Sequence, residues 1–312
     1  MELIRGLHNI RPRHRGCAAT IGNFDGVHLG HQKVIDAVCQ AAKASDRPAC
    51  VVSFEPLPVE YFAPAEKIQP RLTHLREKYR ALQQQNIDQL LILPFASKLA
   101  NTSADDFIRQ VLVDGLQVGH LFVGDDFRFG HNRVGDFELL QQASTVHSFK
   151  LQRSDTHRHS GERISSTRIR KLLIDGQLEL AATLLGRHYA LQGRVEYGAQ
   201  LGRTIGFPTA NIALKNRQQP LRGVFAVNAA IDSSATAIPG IANLGNKPTV
   251  NGTRVTLEVH LLDYSADLYG KTIRVEFLQK IRDEKKFDSF DELKQAIAND
   301  ENTARQWFAD NL

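Results

Sequence analysis

Two rhythms of apolar residues divide the chain. In the first, short unbroken apolar runs alternate with stretches whose apolar positions recur every three or four residues. The runs are Cys17 to Ile21, Ala49 to Phe54, Gln89 to Leu93 and His120 to Val123. Continuous runs of this length suit strands covered on both faces of a parallel sheet. Between them Val34, Ile35, Val38 and Ala41/Ala42 keep helical spacing from His31 onward, and Leu72 to Gln85 does the same. Glu55 to Pro58 breaks the second run, and Tyr61 and Phe62 follow in a loop or short turn. Ser103, with Asp106 three places on, marks the start of a helix reaching Asp114. Strand and helix alternating in this way predict a parallel α/β sheet.

The second rhythm follows two helices, one from Ser166 to about Gly176 and one over Leu178 to Leu185. Beyond them the apolar period falls to two. Tyr189–Tyr197, Gly223–Ile231, Arg254–Asp263 and Thr272–Ile281 read as strands. Val255, Leu257, Val259 and Leu261 share one face, with Thr256, Glu258 and His260 on the other. Strands of this kind in succession predict a small antiparallel barrel. Ser289 and Glu292 form a capping box, and Leu293, Ile297 and Trp307 give the helical C-terminal part its apolar face. The expected fold class is therefore α/β: a parallel-sheet domain over 1–185, then a barrel domain with C-terminal helices over 186–312.

Composition narrows the function classes. A chain of 312 residues fits two domains, and 42% hydrophobic with 23% charged residues is ordinary for a globular protein. No apolar run approaches a membrane span, and the N-terminus lacks the apolar core of a signal peptide. Cys17, Cys39 and Cys50 follow no disulfide framework, so free thiols in a reducing cytoplasm are expected. The net charge of +5 is dispersed, without an aromatic-interleaved basic stripe. That argues against a nucleic-acid partner and leaves small anionic substrates; no protein or membrane partner is evident.

The chemistry concentrates in a few strings. Thr20 to His31 reads Thr-Ile-Gly-Asn-Phe-Asp-Gly-Val-His-Leu-Gly-His, where a buried strand passes to a helix. A helix N-terminus there, with His28 and His31 beside it, offers N–H groups and positive charge to a phosphate. Two solvated surface histidines are the bland alternative, and no metal-ligand cluster surrounds them. Gly124 to Gly130 (Gly-Asp-Asp-Phe-Arg-Phe-Gly) follows another strand and suits a flat polar ring, or else a turn whose phenylalanines pack inward. Ile164 to Arg170 (Ile-Ser-Ser-Thr-Arg-Ile-Arg) places hydroxyls and arginines at a helix start. Gly193 to Gly206 holds four glycines in a candidate phosphate flap, with Thr209 and Asn211 beyond it as oxygen donors for phosphate or Mg²⁺.

Gly-Asn-Phe-Asp-Gly-Val-His-Leu-Gly-His resembles the nucleotidyltransferase signature of bacterial FMN adenylyltransferases, and Ile-Ser-Ser-Thr-x-Ile-Arg resembles their second nucleotide motif. Gly-Arg-Thr-Ile-Gly-Phe-Pro-Thr-Ala-Asn, Gly-Val-Phe-Ala-Val, Ala-Asn-Leu-Gly-Asn-Lys-Pro-Thr, Leu-Glu-Val-His and Leu-Tyr-Gly-Lys together resemble riboflavin kinases. The resemblance implies two Mg²⁺-dependent reactions: riboflavin and ATP give FMN, and FMN with a second ATP gives FAD and pyrophosphate. It implies catalytic roles for His28, His31 and, as kinase base, Glu258. It assigns nucleotide binding to Gly22, Asn23, Phe24, Asp25, Gly30, Ser165, Ser166, Thr167, Arg168, Gly202, Thr209 and Asn211. Thr209 and Asn211 would also bind the metal, and Phe54, Phe62, Asp126 and Phe127 the flavin. One position departs from the pattern, because Leu57 stands where the family has a histidine in Phe-x-Pro-His-Pro. A single-activity adenylyltransferase with a flavin-binding barrel is the alternative, and the intact Glu258, Thr209 and Asn211 argue against it.

Overall fold

The computed structural model describes residues 1–64, 67–198, 206–214, 218–232, 234, 236–249 and 252–311. Its strands and helices form two compact units. The first comprises Met1–Gln69 and Thr73–Ser166, the second Pro70–Leu72 and Thr167–Leu312.

The first unit is built on a parallel sheet. Its strands are β1 (Glu2–Arg5), β2 (Ala18–Ile21), β3 (Ala49–Glu55), β4 (Gln89–Pro94), β5 (His120–Gly124) and β6 (Lys150–Ser154), in the spatial order β1-β4-β3-β2-β5-β6. Successive residues of the central strands point to opposite faces, and both faces are covered. On one, Ala19, Ile21, Cys50, Val52, Leu91, Leu121 and Val123 pack with Phe107, Ile108, Val111 and Leu140. On the other, Ala18, Val51, Leu90 and Phe122 pack with Ile35, Val38 and Leu82. That double burial is why these strands carry no polar alternation.

The helices between the strands start and stop for local reasons. The helix α1 (Leu29–Ala44) begins two residues before the expected His31, because the His28 side chain caps it. A five-residue helix, α2 (Pro58–Phe62), takes in Tyr61 and Phe62, and Glu60 accepts the Leu57 N–H at its start. Then come α3 (Leu75–Gln83), α4 (Ser97–Ala100) and α5 (Ala104–Phe107), the last capped by Ser103 as expected. The expected helix to Asp114 continues from α5 as a wider π-helical stretch over Ile108–Val113. Next, α6 (Phe137–His147) is capped by Asp136, and a small hairpin pairs β7 (Arg158–His159) with β8 (Glu162–Arg163).

The second unit holds α7 (Ser166–Ile174) from Thr167 onward, α8 (Leu178–Leu185) and a closed antiparallel barrel. The barrel strands are β9 (Tyr189–Glu196), β10 (Ala210–Ile212), β11 (Gly223–Ile231), β12 (Ala237–Thr249), β13 (Gly252–Leu261) and β14 (Thr272–Arg282). They close in the order β10-β13-β12-β11-β14-β9. Leu257, Val259, Leu244, Ala242, Phe225, Val275 and Phe277 are all 1% exposed or less and fill the interior. A single helix, α9 (Phe290–Asn311), takes the place of the expected C-terminal helices. Ala304 and Phe308 on it pack against Val224, Ala226 and Ile241, and Asp300 receives two hydrogen bonds from Arg282 (2.9 and 2.7 Å). This packing division and the expected one at Leu185 differ by two helices, since α8 packs on β9 and β14. Among the described residues no helix is long and apolar enough to cross a membrane.

Candidate active sites

In the parallel sheet, β3 and β4 lie on one side of β2, while β5 and β6 lie on the other. The direction in which successive strands are added therefore reverses between β2 and β5, which run parallel. A ligand crevice in such a sheet opens beyond the carboxyl ends of the strands at this reversal. Two of the strings singled out in the sequence leave from those two ends: Gly22–His28 from β2 and Gly124–Gly130 from β5.

The β2–α1 turn is held by its own neighbourhood at almost every peptide. Gly22 N–H donates to Val52 O (3.0 Å). Asn23 O accepts from Lys78 Nζ (2.7 Å) and from Ser53 Oγ (3.2 Å). Asp25 O accepts from Ser166 Oγ (2.8 Å), Gly26 N–H donates to Thr73 Oγ1 (2.8 Å), and Val27 O accepts from Gln32 Nε2 (2.9 Å). The Asp25 carboxylate is buried and accepts the Thr73 N–H (2.9 Å). Phe24 and Val27 have φ of 46° and 43°, left-handed values that side chains avoid, a β-branched one above all. Strain of about 1–3 kcal/mol per residue persists only where the surroundings over-determine the backbone, and here they do.

The turn delivers His28 to the head of α1. Its Nδ1 accepts the His31 N–H (3.3 Å), so the neutral ring carries its proton on Nε2 and presents a donor there. The His31 ring stacks on it, with centroids 3.6 Å apart and planes 14° apart, and leans on Phe24 at 5.0 Å. A Cβ at Gly30 would come within 3.2 Å of the His28 ring, so glycine leaves the imidazole its room. Stacked imidazoles beside the first N–H groups of a 16-residue helix are chemically suited to an anionic oxygen.

The other expected residues of this unit fall around two further clusters. Phe54, buried at the end of β3, meets Phe95 edge-on (5.8 Å); Tyr61 and the exposed Phe62 join the same group. Leu57 is buried, so the position that departs from the family pattern presents no polar group. Asp126 pairs with Arg163 (2.8 Å), which raises the arginine's pKa, while Thr156 donates to Asp125 (2.6 Å). Phe127 stacks on Phe129 (5.4 Å) and packs against the core. Ser165 immediately precedes α7, and Thr167 and Arg168 open the second unit.

In the barrel, cross-strand register does the assembling. Asn211 on β10 lies opposite Glu196 on β9 and Glu258 on β13, and Glu258 lies opposite Asn243 on β12. The row Glu196–Asn211–Glu258–Asn243 lies on the outer face, because its neighbours Leu257 and Val259 turn inward. The Asn243 Oδ1 is buried and has no hydrogen-bond partner among the described residues. A Cβ at Gly198 would collide with the Asn211 amide, so glycine lets the chain after β9 lie over it. Thr209 is the residue before β10, and His260 fixes that approach through Pro208 O (2.8 Å). Gly202 lies outside the described residues. The donor set of Thr209 and Asn211 is neutral oxygen. It fits Mg²⁺ held jointly with polyphosphate and water, the usual mode for that ion. Among the described residues no group of three or more His, Cys, Asp or Glu forms a metal cage.

The sequence reading missed Lys78, Thr73 and Ser53, which hold the β2–α1 turn, and Asn243. Lys78 carried a signal: it occupies an apolar position in the pattern Leu75, Lys78, Ala81/Leu82 and is fully buried. Thr73 stands 47 residues from the peptide it holds, and nothing local announces it.

Comparisons with known proteins agree with both halves. A family model described as FAD synthetase matches residues 10–168, and one described as riboflavin kinase matches 185–308. The bifunctional riboflavin kinase/FMN adenylyltransferase of Escherichia coli (strain K12) is 48% identical over 99% of this chain and 98% of its own length. The Pseudomonas fluorescens protein of that description is 47% identical over 98% and 97%. A solved structure described as a macrolide-efflux protein from Streptococcus pneumoniae matches with a TM-score of 0.85 at 29% identity, covering 98% of this chain and 100% of that one. The chain thus belongs to the bifunctional riboflavin kinase/FMN adenylyltransferase family, whose members use ATP to make FAD from riboflavin in two steps.

Proposed function

We propose that the two steps are divided between the two sites described, with adenylyl transfer at the β2–α1 turn and phosphorylation on the barrel row. At the turn, a phosphate oxygen of FMN attacks the α-phosphorus of ATP, and pyrophosphate leaves. The nucleophile is already an anion, so this step needs charge stabilisation more than a base. His28, His31 and the α1 N-terminus supply it. Gly22, Asn23, Phe24, Asp25 and Gly30 shape the turn, and Ser165, Ser166, Thr167 and Arg168 hold the nucleotide. The aromatic group of Phe54 and Phe62, with Asp126 and Phe127, takes the flavin. The stacked His28–His31 pair beside the sheet's reversal carries this reading.

On the barrel, Glu258 accepts the proton of the ribityl 5′-hydroxyl as its oxygen takes the γ-phosphoryl group of ATP. Asn211 beside it, with Thr209 and Gly202, holds the polyphosphate. Thr209 and Asn211 would also hold Mg²⁺, which would neutralise charge on the phosphates when bound. The activities separate near Leu185, a boundary supported by family matches that end at 168 and resume at 185. A cytoplasmic location belongs to the same reading, supported by the free thiols of Cys17, Cys39 and Cys50.

Incubating the full chain with riboflavin, ATP and Mg²⁺, and resolving FMN from FAD by chromatography, tests the division. His28→Ala should accumulate FMN. Glu258→Gln should make FAD only from supplied FMN. Loss of FMN formation in His28→Ala, or failure of Glu258→Gln to convert supplied FMN to FAD, with the protein folded, would refute the division.

A further inference from the structure

We infer that Lys78 is a positioning residue for adenylyl transfer, its buried ammonium fixing the carbonyl of Asn23 and through it the strained turn that presents His28. The inference rests on the assignment of adenylyl transfer to that turn. Lys78 is completely buried on the inner face of α3. Its Nζ donates to Asn23 O at 2.7 Å and to Ser53 Oγ at 3.2 Å, and Ser53 Oγ itself donates to Asn23 O at 3.2 Å. Lysine and serine thus converge on one peptide oxygen, in an exposed residue, at the crevice end of the sheet. The next residue, Phe24, has left-handed φ, and Val27 repeats that conformation one residue before His28.

A purely structural role does not account for the charge. Removing an ammonium from water is costly, and an unbranched apolar chain of similar shape is spared that cost. With Met at position 78, Asn23 O would still accept from Ser53 and keep a donor. What would go is the stronger, charge-assisted bond that defines where Asn23 sits. A displacement of about an ångström at a catalytic group can cost about 100-fold in rate, so a loosened turn slows chemistry without unfolding the unit. The charge therefore serves the placement of His28 rather than the packing of α3.

The test uses the full chain, with riboflavin phosphorylation in the same molecule as the internal control. Lys78→Met should lower kcat for FAD formation from FMN by about 10- to 100-fold, leave KM for FMN within about 3-fold, leave riboflavin phosphorylation unchanged and leave the thermal midpoint undiminished. A folded Lys78→Met whose FAD formation stays within 2-fold of wild type overturns the inference, as does a loss of rate that only tracks a loss of folded protein. Should Lys78→Met fail to fold, Ser53→Ala removes one hydroxyl from the same cluster. It should lower kcat about 3- to 10-fold at an unchanged thermal midpoint, and no change in kcat there overturns the inference. His28→Ala separates the underlying assignment: if that variant makes FAD normally, the site assignment has failed. If His28→Ala is inactive and Lys78→Met normal, the positioning role alone has failed.

Discussion

The β2–α1 turn and the outer row of the barrel reach comparable ends by opposite means. The turn is one short stretch of chain whose peptides are held individually by Val52, Ser53, Thr73, Lys78, Gln32 and Ser166. His28 there is 5% exposed and already spends one nitrogen on capping α1. The barrel row is the reverse: Asn211, Glu258 and Asn243 come from three strands and meet because register sets them opposite one another. In the turn, residues distant in sequence hold the peptides that place His28. In the barrel the ladder carries it, and side chains on the row can change without moving the backbone beneath.

The comparison breaks first at its two chemical residues. Glu258→Gln keeps size and strand register but cannot take a proton, so FMN formation should fall by about 10²–10⁴, with adenylation of supplied FMN intact. Initial rates with riboflavin and with FMN decide this. A kinase rate within a few-fold of wild type would assign the base elsewhere. His28→Ala should lower FAD formation by about 10²–10³ and spare FMN formation. It also removes the α1 cap, so calorimetry should show a loss of about 1 kcal/mol, a cost without counterpart in Glu258→Gln.

How far each region was legible follows from the same contrast. The β11 bounds, Gly223–Ile231, and the α8 bounds, Leu178–Leu185, match the sequence expectation, because apolar period and flanking glycine agree there. β10 has three residues, too few to show a period, and exists by pairing with β9 and β13. β12 contains Pro239, Gly240, Gly245 and Pro248, residues that read as breakers, yet it pairs with β13 from Gly240 to Thr249 and with β11 from Ala237 to Leu244. β1 and β6 are edge strands with few fully buried positions. The motif residues of both sites were legible as strings. The Thr73 and Lys78 contacts were not, since both bonds cross about fifty positions of chain.

Thr73→Val sharpens the comparison at a smaller scale. Valine matches the threonine shape but leaves the buried Gly26 N–H without its acceptor and the Asp25 carboxylate with one donor fewer. An orphaned buried donor costs about 1–3 kcal/mol, and part of that should appear as movement of the turn. FAD formation should fall by about 10-fold with FMN formation unchanged, read from paired initial rates. The contrasting barrel variant is Asn243→Ala, which removes a buried oxygen with no partner among the described residues. It should leave thermal stability within about 1 kcal/mol of wild type, because no hydrogen bond to that atom from the described residues is lost.

The smallest effect on rate expected separates the edge of the barrel from its chemistry. The proposed activity boundary at Leu185 and the packing boundary at Ser166 differ by α7 and α8. Ala181, Leu184 and Leu185 on α8 are 1% exposed or less, and α8 lies on β9 and β14. Gly176, between the helices, leaves room for the Lys280 side chain, which a Cβ there would meet at 2.8 Å. None of these residues belongs to the row of Asn211, Glu258 and Asn243, which lies on β10, β13 and β12. A fragment from Gly186 to Leu312 and one from Thr167 to Leu312 should therefore phosphorylate riboflavin at rates within a few-fold of each other. Their stabilities should differ, because burial of a leucine contributes about 1.5–3 kcal/mol and the shorter fragment lacks α7 and α8, with the buried Leu172, Leu173, Leu178, Leu184 and Leu185. Calorimetry of the two fragments beside a kinase assay reads both quantities. Equal midpoints would show that α7 and α8 together add nothing to the barrel. A folded but inactive shorter fragment would place part of the kinase machinery before Gly186.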